Sequence, residues 1–209
     1  MLTQIRRSVV LALIALVLFG LVYPLAGVGV SQLLFKDKAN GSITPNGSTL
    51  IGQDWTSPRF FHGRPDNAGP YQATGSSTAS QPIAGGGDNP LVANNGKNGA
   101  TENGGSAATN FGPRSQQLVT NTEALIKYWR SVGVNPTPDL VTTSGSGLDP
   151  DITPADAYAQ IPMVARSTGI SPARLRALVA SQTHTAQFGF LGSDYIVVLD
   201  LNEALAHLT

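Results

Sequence analysis

The sequence contains no cysteine, which excludes disulfide bonds, thiolate metal ligands and thiol chemistry. Three histidines are present, and no two of them have the H-x-x-x-H spacing of a zinc-binding helix. Charged residues make up 12% of the chain and their formal sum is zero, so nucleic acid is not an expected partner. A domain without these features must be held together by core packing or by partner proteins.

Charge is also absent from one long stretch, Ser8 to Val30, where 23 consecutive positions carry none. As a helix this stretch would be roughly 34 Å long, and the apolar core of a bilayer is about 30 Å thick. Its apolar residues would lie on every side of the helix and leave no polar face for water. We therefore predict a transmembrane anchor over residues 8–34, preceded by a short N-terminal tail at residues 1–7.

The charges that flank this stretch bear on its orientation. Arg6 and Arg7 precede it and favour a cytoplasmic N-terminus, whereas Lys36 and Lys38 follow it and weaken that preference. We predict a single-pass protein of a bacterial cell membrane, with residues 35–209 on the extracytoplasmic side. The alternative is a cleaved signal peptide, but the apolar run is long for one, and the best small-residue site is Gly27-Val28-Gly29.

Residues 35–209 have the length of one small domain, and their pattern indicates a mixed α/β structure of the α+β class. Residues 85–112 contain eight glycines and six asparagines, so we predict a flexible loop there. Apolar periodicity and capping residues predict three helices, at Arg114–Val132, after Thr153 with a kink or restart at Pro162, and after Ser171. Short strands are predicted at Thr49–Gln53, Leu140–Thr143 and Tyr195–Leu201, with a terminal helix at Asn202–Leu208.

The segment from Trp55 to Pro65 is the densest cluster of aromatic and basic residues outside the predicted anchor. Aromatic faces and arginine side chains can bind planar or anionic ligands, so a small-ligand binding module is one hypothesis. The simpler interpretation, which we prefer, is that Trp55, Phe60 and Phe61 pack in the core while Arg59 and Arg64 remain solvated.

No motif in the chain predicts catalysis. The G-x-S-x-G pattern of a nucleophile elbow is missing, and Gly145-Ser146-Gly147 is followed by Pro150 where a dinucleotide loop would have its third glycine. Asp149, Asp151 and Asp156 lie close in sequence without the alternation of a calcium loop. An anchored hydrolase remains an alternative, and its nucleophile would have to be found by mutagenesis.

Several motifs occur in an order that resembles one family. They are Val22-Tyr23-Pro24, Leu50-Ile51-Gly52-Gln53, the run from Phe60 to Pro65, the run from Asp139 to Pro150, Ile152-Thr153-Pro154, Gln160-Ile161-Pro162, Val164-Ala165-Arg166, Gly189 to Gly192, and Leu199 to Asn202. In this respect the chain resembles the C subunits of Kdp-type potassium-transporting P-type ATPases. The 72–104 stretch departs from the resemblance, because the family typically has a shorter loop there.

The resemblance implies an accessory subunit without turnover of its own, in a high-affinity ATP-driven potassium uptake complex. Its implied partners are a potassium-translocating subunit, an ATP-hydrolysing P-type subunit and a small single-helix subunit. It also implies that the chain stabilises assembly, and that it raises the ATP affinity of the catalytic subunit or modulates ion access. The resemblance implies ATP as a ligand and Gln160 as the residue that contacts it. The predicted topology conflicts with this, because an extracytoplasmic domain would not meet cytosolic ATP.

Overall fold

The structure is a computed structural model, and it describes residues 1–53, 55, 57–65, 111–146 and 148–208. The chain divides into two compact units, Met1–Ile43 and Thr44–Thr209. The predicted boundaries of anchor and domain at residues 34 and 35 stay a prediction. Most of the predicted loop at 85–112, and all of the 72–104 stretch, lie outside the described residues.

The first unit is dominated by one long helix. It consists of α1 (Leu2–Val17), a π-helical turn (Leu18–Val22) and α2 (Tyr23–Leu34), and a short helix α3 (Lys36–Ala39) follows. The run Leu2–Leu34 is long and apolar enough to cross a membrane, and none of it is buried against the rest of the chain. We attribute the π turn to Pro24, because a proline ring crowds the carbonyl group four residues earlier and a wider turn relieves that contact.

The second unit is mainly helical, with very short strands, and this mixture agrees with the predicted α+β class. The first strand pair along the chain consists of β1 (Ile43–Thr44) and β2 (Gly47–Ser48). The later elements are α4 (Gln116–Ser131), a 3-10 turn (Asp139–Val141), β3 (Asp151–Ile152), α5 (Pro154–Thr168), α6 (Pro172–Ser181), β4 (Ile196–Val197) and α7 (Val198–Ala206). Strands β3 and β4 pair antiparallel, with Ile152 opposite Ile196.

The core of this unit collects apolar side chains from all of these helices and from the Trp55–Phe61 segment. Its members include Trp55, Phe60, Phe61, Leu125, Trp129, Leu140, Ile161, Val164, Leu175, Val179, Leu201 and Leu205, each at most 9% exposed. The predicted core role of the three aromatic residues near position 60 is therefore confirmed. This burial also removes those rings from the surface, so they are not available to a ligand.

Helix α4 confirms the predicted apolar face, because Leu125 and Trp129 are buried on it. The helix begins two residues later than predicted, at Gln116, and Ser115 is the residue before it. Gly133 follows its end with a φ of 75°, a conformation that glycine adopts without a steric penalty. The later part of the chain likewise follows the predicted caps, with Thr153 before α5 and Ser171 before α6.

Two strand predictions are wrong, and a third is right only in part. Thr49–Gln53 forms a turn and an irregular segment, and Leu140–Thr143 overlaps the 3-10 turn. Of Tyr195–Leu201, two residues form β4 and the chain then enters α7, four residues earlier than the predicted terminal helix. The residues Val198, Leu201 and Leu205 are buried at helical spacing, so packing of that face has overridden the strand propensity of the Tyr-Ile-Val-Val run.

The predicted restart at Pro162 does not occur either, because α5 runs through it from Pro154 to Thr168. The residues on both sides of the proline, Ile161 and Met163, are each 2% exposed, and packing on this scale holds the helix together. Tertiary packing thus compensates for the backbone hydrogen bond that a proline removes.

Candidate functional site

Gln160, on α5, is completely buried, and its amide group is bonded to the backbone of His62. Gln160 Oε1 accepts from the His62 N–H at 2.7 Å, and Gln160 Nε2 donates to the His62 carbonyl oxygen at 2.9 Å. A side-chain amide that satisfies one residue's backbone donor and acceptor replaces the pairing that a neighbouring strand would give. The structure therefore gives Gln160 a part in holding the fold, while its predicted contact with a nucleotide stays a prediction.

Asn202, on α7, does the same for the preceding residue. Asn202 Oδ1 accepts from the Phe61 N–H at 2.8 Å and Asn202 Nδ2 donates to the Phe61 carbonyl oxygen at 2.8 Å. Asn202 is also completely buried. We call Gln160 and Asn202 the amide pair, since together they fix two consecutive residues of an otherwise irregular segment between two helices.

His62 is held in the same core as a neutral side chain. Its Nε2 lies 3.0 Å from the Ser57 carbonyl oxygen, and its ring lies 5.4 Å from the ring of Trp129. Burial lowers the pKa of His62 to about 4, with the hydrogen bond to Ser57 acting in the opposite direction. Among the described residues no group of three or more histidine, aspartate or glutamate side chains could hold a metal ion.

Arg64 is not solvated as predicted, because its side chain is 23% exposed and folds back on the domain. Its Nη1 lies 3.4 Å from Asp149 Oδ2, and its Nη2 lies 3.8 Å from Asp139 Oδ1. The Nη2 group also donates to the carbonyl oxygens of Thr142 and Thr143 at 3.4 and 3.3 Å. A planar group with several donors can make all of these contacts at once, whereas Arg59 is exposed, as predicted.

Arg64 borders an open cleft of about 890 Å³, which we call the acidic cleft. Five aspartates line it, Asp139, Asp149, Asp151, Asp156 and Asp194, together with His184 and Tyr195. Sequence proximity suggested the grouping of three of these carboxylates, and the structure brings the others to them through the fold. The charge balance among the described lining residues is five carboxylates against one guanidinium group, so the cleft is negative.

Asp151 and Asp156 have different environments in this cleft. Asp156 belongs to a capping box, in which its carboxylate accepts from the Thr153 N–H at 2.8 Å and also bonds the Thr137 hydroxyl. For Asp151 Oδ1, which is buried, the described part of the chain offers no hydrogen-bond donor. Burial, followed by repulsion from Asp149, raises the pKa of Asp151 to about 6, with a smaller contribution from Asp200 and an opposing one from His184.

A hairpin rises from the edge of the cleft. His184 and Tyr195 pair through two backbone hydrogen bonds of 2.8 and 3.0 Å, and their rings stack at 5.0 Å. The backbones of Gln187 and Leu191 pair nearer its end, both bonds being 2.9 Å. The end of the hairpin, which we call the aromatic tip, consists of Phe188, Gly189 and Phe190, and its two phenylalanines are 79% and 75% exposed.

Sequence reasoning missed both the amide pair and the aromatic tip. Gln160 lies 98 positions from its partner His62, and Asn202 lies 141 positions from its partner Phe61. No local pattern in the sequence connects residues so far apart. The tip did carry a local signal, because Phe188-Gly189-Phe190 places a glycine between two apolar residues and Gly192 follows soon after. We had attached that stretch to the family resemblance without predicting a hairpin.

Together these features define a class of protein. It has a candidate membrane-spanning helix and a domain in which buried polar side chains hold the fold. Comparison with known proteins narrows the class. The family model for KdpC, described as "K+-transporting ATPase, c chain", matches residues 5–207.

Relatives of similar length lead to the same family. Each of the following is described as "Potassium-transporting ATPase KdpC subunit". The protein from Koribacter versatilis is 40% identical over 93% of this chain and 90% of the relative, and that from Methylobacterium nodulans is 40% identical over 100% and 98%. The protein from Clostridioides difficile is 37% identical over 98% of this chain and 97% of its own length. This chain belongs to the KdpC family.

Proposed function

We propose that the chain is the accessory C subunit of an ATP-driven potassium uptake complex, anchored in the membrane by Leu2–Leu34. Membership of the KdpC family is the observation that carries this proposal, because the family model names a chain of a potassium-transporting ATPase and matches residues 5–207. The long apolar helix supports it further, since an ion-transporting complex must be membrane-bound.

The chain performs no ATP hydrolysis of its own in this proposal, and catalysis belongs to the P-type subunit. Its other partners are the potassium-translocating subunit and the small single-helix subunit. The domain of residues 44–209 stabilises their assembly and influences ion access. The buried polar groups of Gln160, Asn202 and His62 are bonded to the chain itself, which favours a role in the fold over contact with a nucleotide.

The orientation in this proposal has the N-terminus in the cytoplasm and the domain outside. Arg6 and Arg7 support it through the positive-inside rule, and Lys36 and Lys38 oppose it. An extracytoplasmic domain acts on the complex without touching cytosolic ATP. The alternative, in which Gln160 contacts a nucleotide and raises ATP affinity, requires this side chain to leave the core, because it is 0% exposed.

The absence of cysteine makes the orientation easy to test. A single cysteine introduced at Glu123, an exposed position on α4, is labelled by a membrane-impermeant maleimide. We expect labelling in intact cells with the outer membrane permeabilised. A matched cysteine at Thr3, in the N-terminal tail, should be labelled only in inverted vesicles. The reverse pattern would place residues 44–209 in the cytoplasm and contradict the proposed orientation.

Membership of the complex is tested separately by affinity purification of the full-length chain from membranes that contain the other subunits. We expect the potassium-translocating and ATP-hydrolysing subunits to be recovered with it in fixed ratio. Recovery of the chain alone, in a mild detergent that preserves membrane complexes, would contradict the proposed function.

A small-ligand binding module is the second candidate, and the acidic cleft is what favours it. The cluster first considered for it is unsuitable, since Trp55, Phe60 and Phe61 are buried. The cleft has the volume of a small-molecule site, but its open, negative lining would select a cationic ligand. Saturable binding of such a ligand to the full-length chain, purified without partners, would favour this second candidate.

A further inference from the structure

The aromatic tip is exposed and yet held in one conformation. Among the described residues of the second unit no other aromatic side chain is as exposed as Phe188 and Phe190. Below them the hairpin is fixed by the paired backbones of Gln187 and Leu191 and by a bond from the Ala186 N–H to Asp194 Oδ1 at 3.0 Å. Burying a phenylalanine side chain is favourable, so a partner that covers these two exposed rings gains binding free energy.

The backbone at the tip is unusual as well. Phe188 has a φ of 56°, which is uncommon for a bulky residue and carries an energetic cost. Gly189 follows with a φ of 79° and completes the reversal that turns both rings outward. A glycine at position 188 would close the same hairpin without that cost, so the strained geometry points to a surface that contacts another molecule.

The acidic cleft adjoins the tip, because Leu191, Asp194 and Tyr195 belong to both the hairpin and the lining of the cleft. Arg64 offsets the charges of Asp139 and Asp149 in part. The Asp151 carboxylate is half-buried, and its Oδ1 lacks a donor from the described residues. A cation placed in the cleft would give this carboxylate a counter-charge.

The negative charge of the acidic cleft distinguishes between the molecules that could bind the aromatic tip. A bilayer with anionic lipids would be repelled by the cleft next to the tip. A symmetric contact with a second copy of the chain would bring like-charged surfaces together around the dyad. A protein surface with an apolar pocket beside a lysine or arginine complements both the aromatic tip and the acidic cleft.

We propose that the aromatic tip and the acidic cleft together form the surface on which a larger subunit of the potassium-transporting complex docks, presenting an apolar pocket next to a basic side chain. This inference rests on the proposed function, because it takes the partner from the same complex. Phe188 and Phe190 enter the pocket, and the basic side chain approaches Asp151 from the open side of the cleft.

The position of the tip is tested with a photocrosslinking phenylalanine analogue introduced at Phe188 or Phe190 in the full-length chain, within membranes that contain the whole complex. We expect a crosslink to one of the two larger subunits of the complex, and none from the same analogue at Val119. Val119 is a suitable control because it is an exposed apolar residue on α4 that does not line the cleft. A crosslink only to lipid, to a second copy or to any other molecule would overturn the inference, and so would the absence of a crosslink.

The contributions of the aromatic tip and of the acidic cleft are measured by the rate at which the chain dissociates from the purified complex. The double variant Phe188→Ser, Phe190→Ser should release the chain roughly tenfold faster, since aromatic anchors dominate such interfaces. Asp151→Asn should also accelerate release, and Val119→Ser and Glu123→Gln should not. Fluorescence of the buried Trp55 and Trp129 reports whether each variant is folded.

Failure of this inference can be told from failure of the proposed function. If the wild-type chain is purified with its partners and all of these variants dissociate at the wild-type rate, the docking surface is wrong and the proposed function stands. If the wild-type chain brings no partner with it, the proposed function itself fails.

Discussion

The amide pair and the acidic cleft lie in the same unit of the chain, and both are rich in polar side chains, but the partners of those side chains differ. Gln160 and Asn202 make four hydrogen bonds to the backbone of Phe61 and His62, each between 2.7 and 2.9 Å long. In the cleft, five carboxylates face one guanidinium group, and a buried oxygen of Asp151 lacks a donor among the described residues.

The difference teaches how polar groups divide between stability and recognition. A buried amide whose hydrogen bonds are all made holds a segment in place. If the amide is removed, the backbone groups that it bonded are left unpaired, and the folded state is destabilised. A carboxylate that is partly buried without a counter-charge lowers stability, and a cation from outside can reverse that cost. The amide pair therefore belongs to the fold, whereas Asp151 belongs to a surface that another molecule completes.

The largest expected effect is at the amide pair. Gln160→Ala should lower the free energy of unfolding by about 3 kcal/mol, because it leaves the N–H and carbonyl of His62 without partners in a dry core. The measurement is chemical denaturation of the full-length chain in detergent micelles, without nucleotide, followed by tryptophan fluorescence.

Gln117→Ala is the control for that change, since Gln117 is a less buried glutamine on α4 whose amide bonds the side chain of Asn121. We expect it to change the free energy of unfolding by less than about 1 kcal/mol. If Gln160→Ala is equally mild without nucleotide and destabilises the chain only in its presence, the amide would act on a ligand rather than on the fold.

A smaller effect is expected at Asp156, the cleft aspartate whose hydrogen bonds are made within the chain. Thr153→Ala removes the hydroxyl of the capping box and should lower the free energy of unfolding by about 1 kcal/mol. Ser171→Ala should cost less, because its hydroxyl makes one long cap contact of 3.4 Å to the Arg174 N–H. Thermal unfolding of both variants gives the ranking, and equal losses would show that the shorter contact of the Thr153 hydroxyl, 3.2 Å from the Asp156 N–H, adds nothing.

The smallest effect should have the opposite sign. The pKa of Asp151 is raised in the folded state to about 6, so the folded chain binds a proton more tightly than the unfolded chain. Stability from this group is present below about pH 4 and is lost as the pH rises towards 6. Asp151→Asn should therefore raise the free energy of unfolding at pH 7 by at most about 1 kcal/mol, after allowance for solvent screening at a half-exposed site.

That gain should be mostly lost by pH 4, where the carboxyl group is protonated in the folded chain and about half protonated in the unfolded chain. Parallel unfolding curves at pH 4 and pH 7 measure it, with Glu123→Gln on α4 as the exposed control. A loss of stability at pH 7 would show that Asp151 already has a counter-charge within the chain.

Local rules in the sequence predicted the elements whose signals are local. The charge-free run of Ser8 to Val30 marked the long helix, and Thr153-Pro154 and Ser171-Pro172 marked the starts of α5 and α6. The aromatic residues near position 60 were recognised as core because a small domain buries its aromatics.

The elements that were wrong depend on contacts between distant parts of the chain. The run from Tyr195 to Leu201 has strand propensity, but burial of Leu201 and Leu205 turns most of it into α7. Arg64 was expected in solvent, and Asp139 and Asp149, at positions 75 and 85 residues later, draw it onto the domain. A cleft assembled from several segments leaves no spacing in the sequence from which it could be predicted.

The most direct test of the contrast between the two regions is to measure stability and complex dissociation on the same Asp151→Asn chain at pH 7. We predict that the variant unfolds at a higher denaturant concentration than the wild type and yet leaves the purified complex faster. If it were less stable, or dissociated no faster than the wild type, Asp151 would be a structural residue like Gln160, and the account of the acidic cleft as a docking surface would be contradicted.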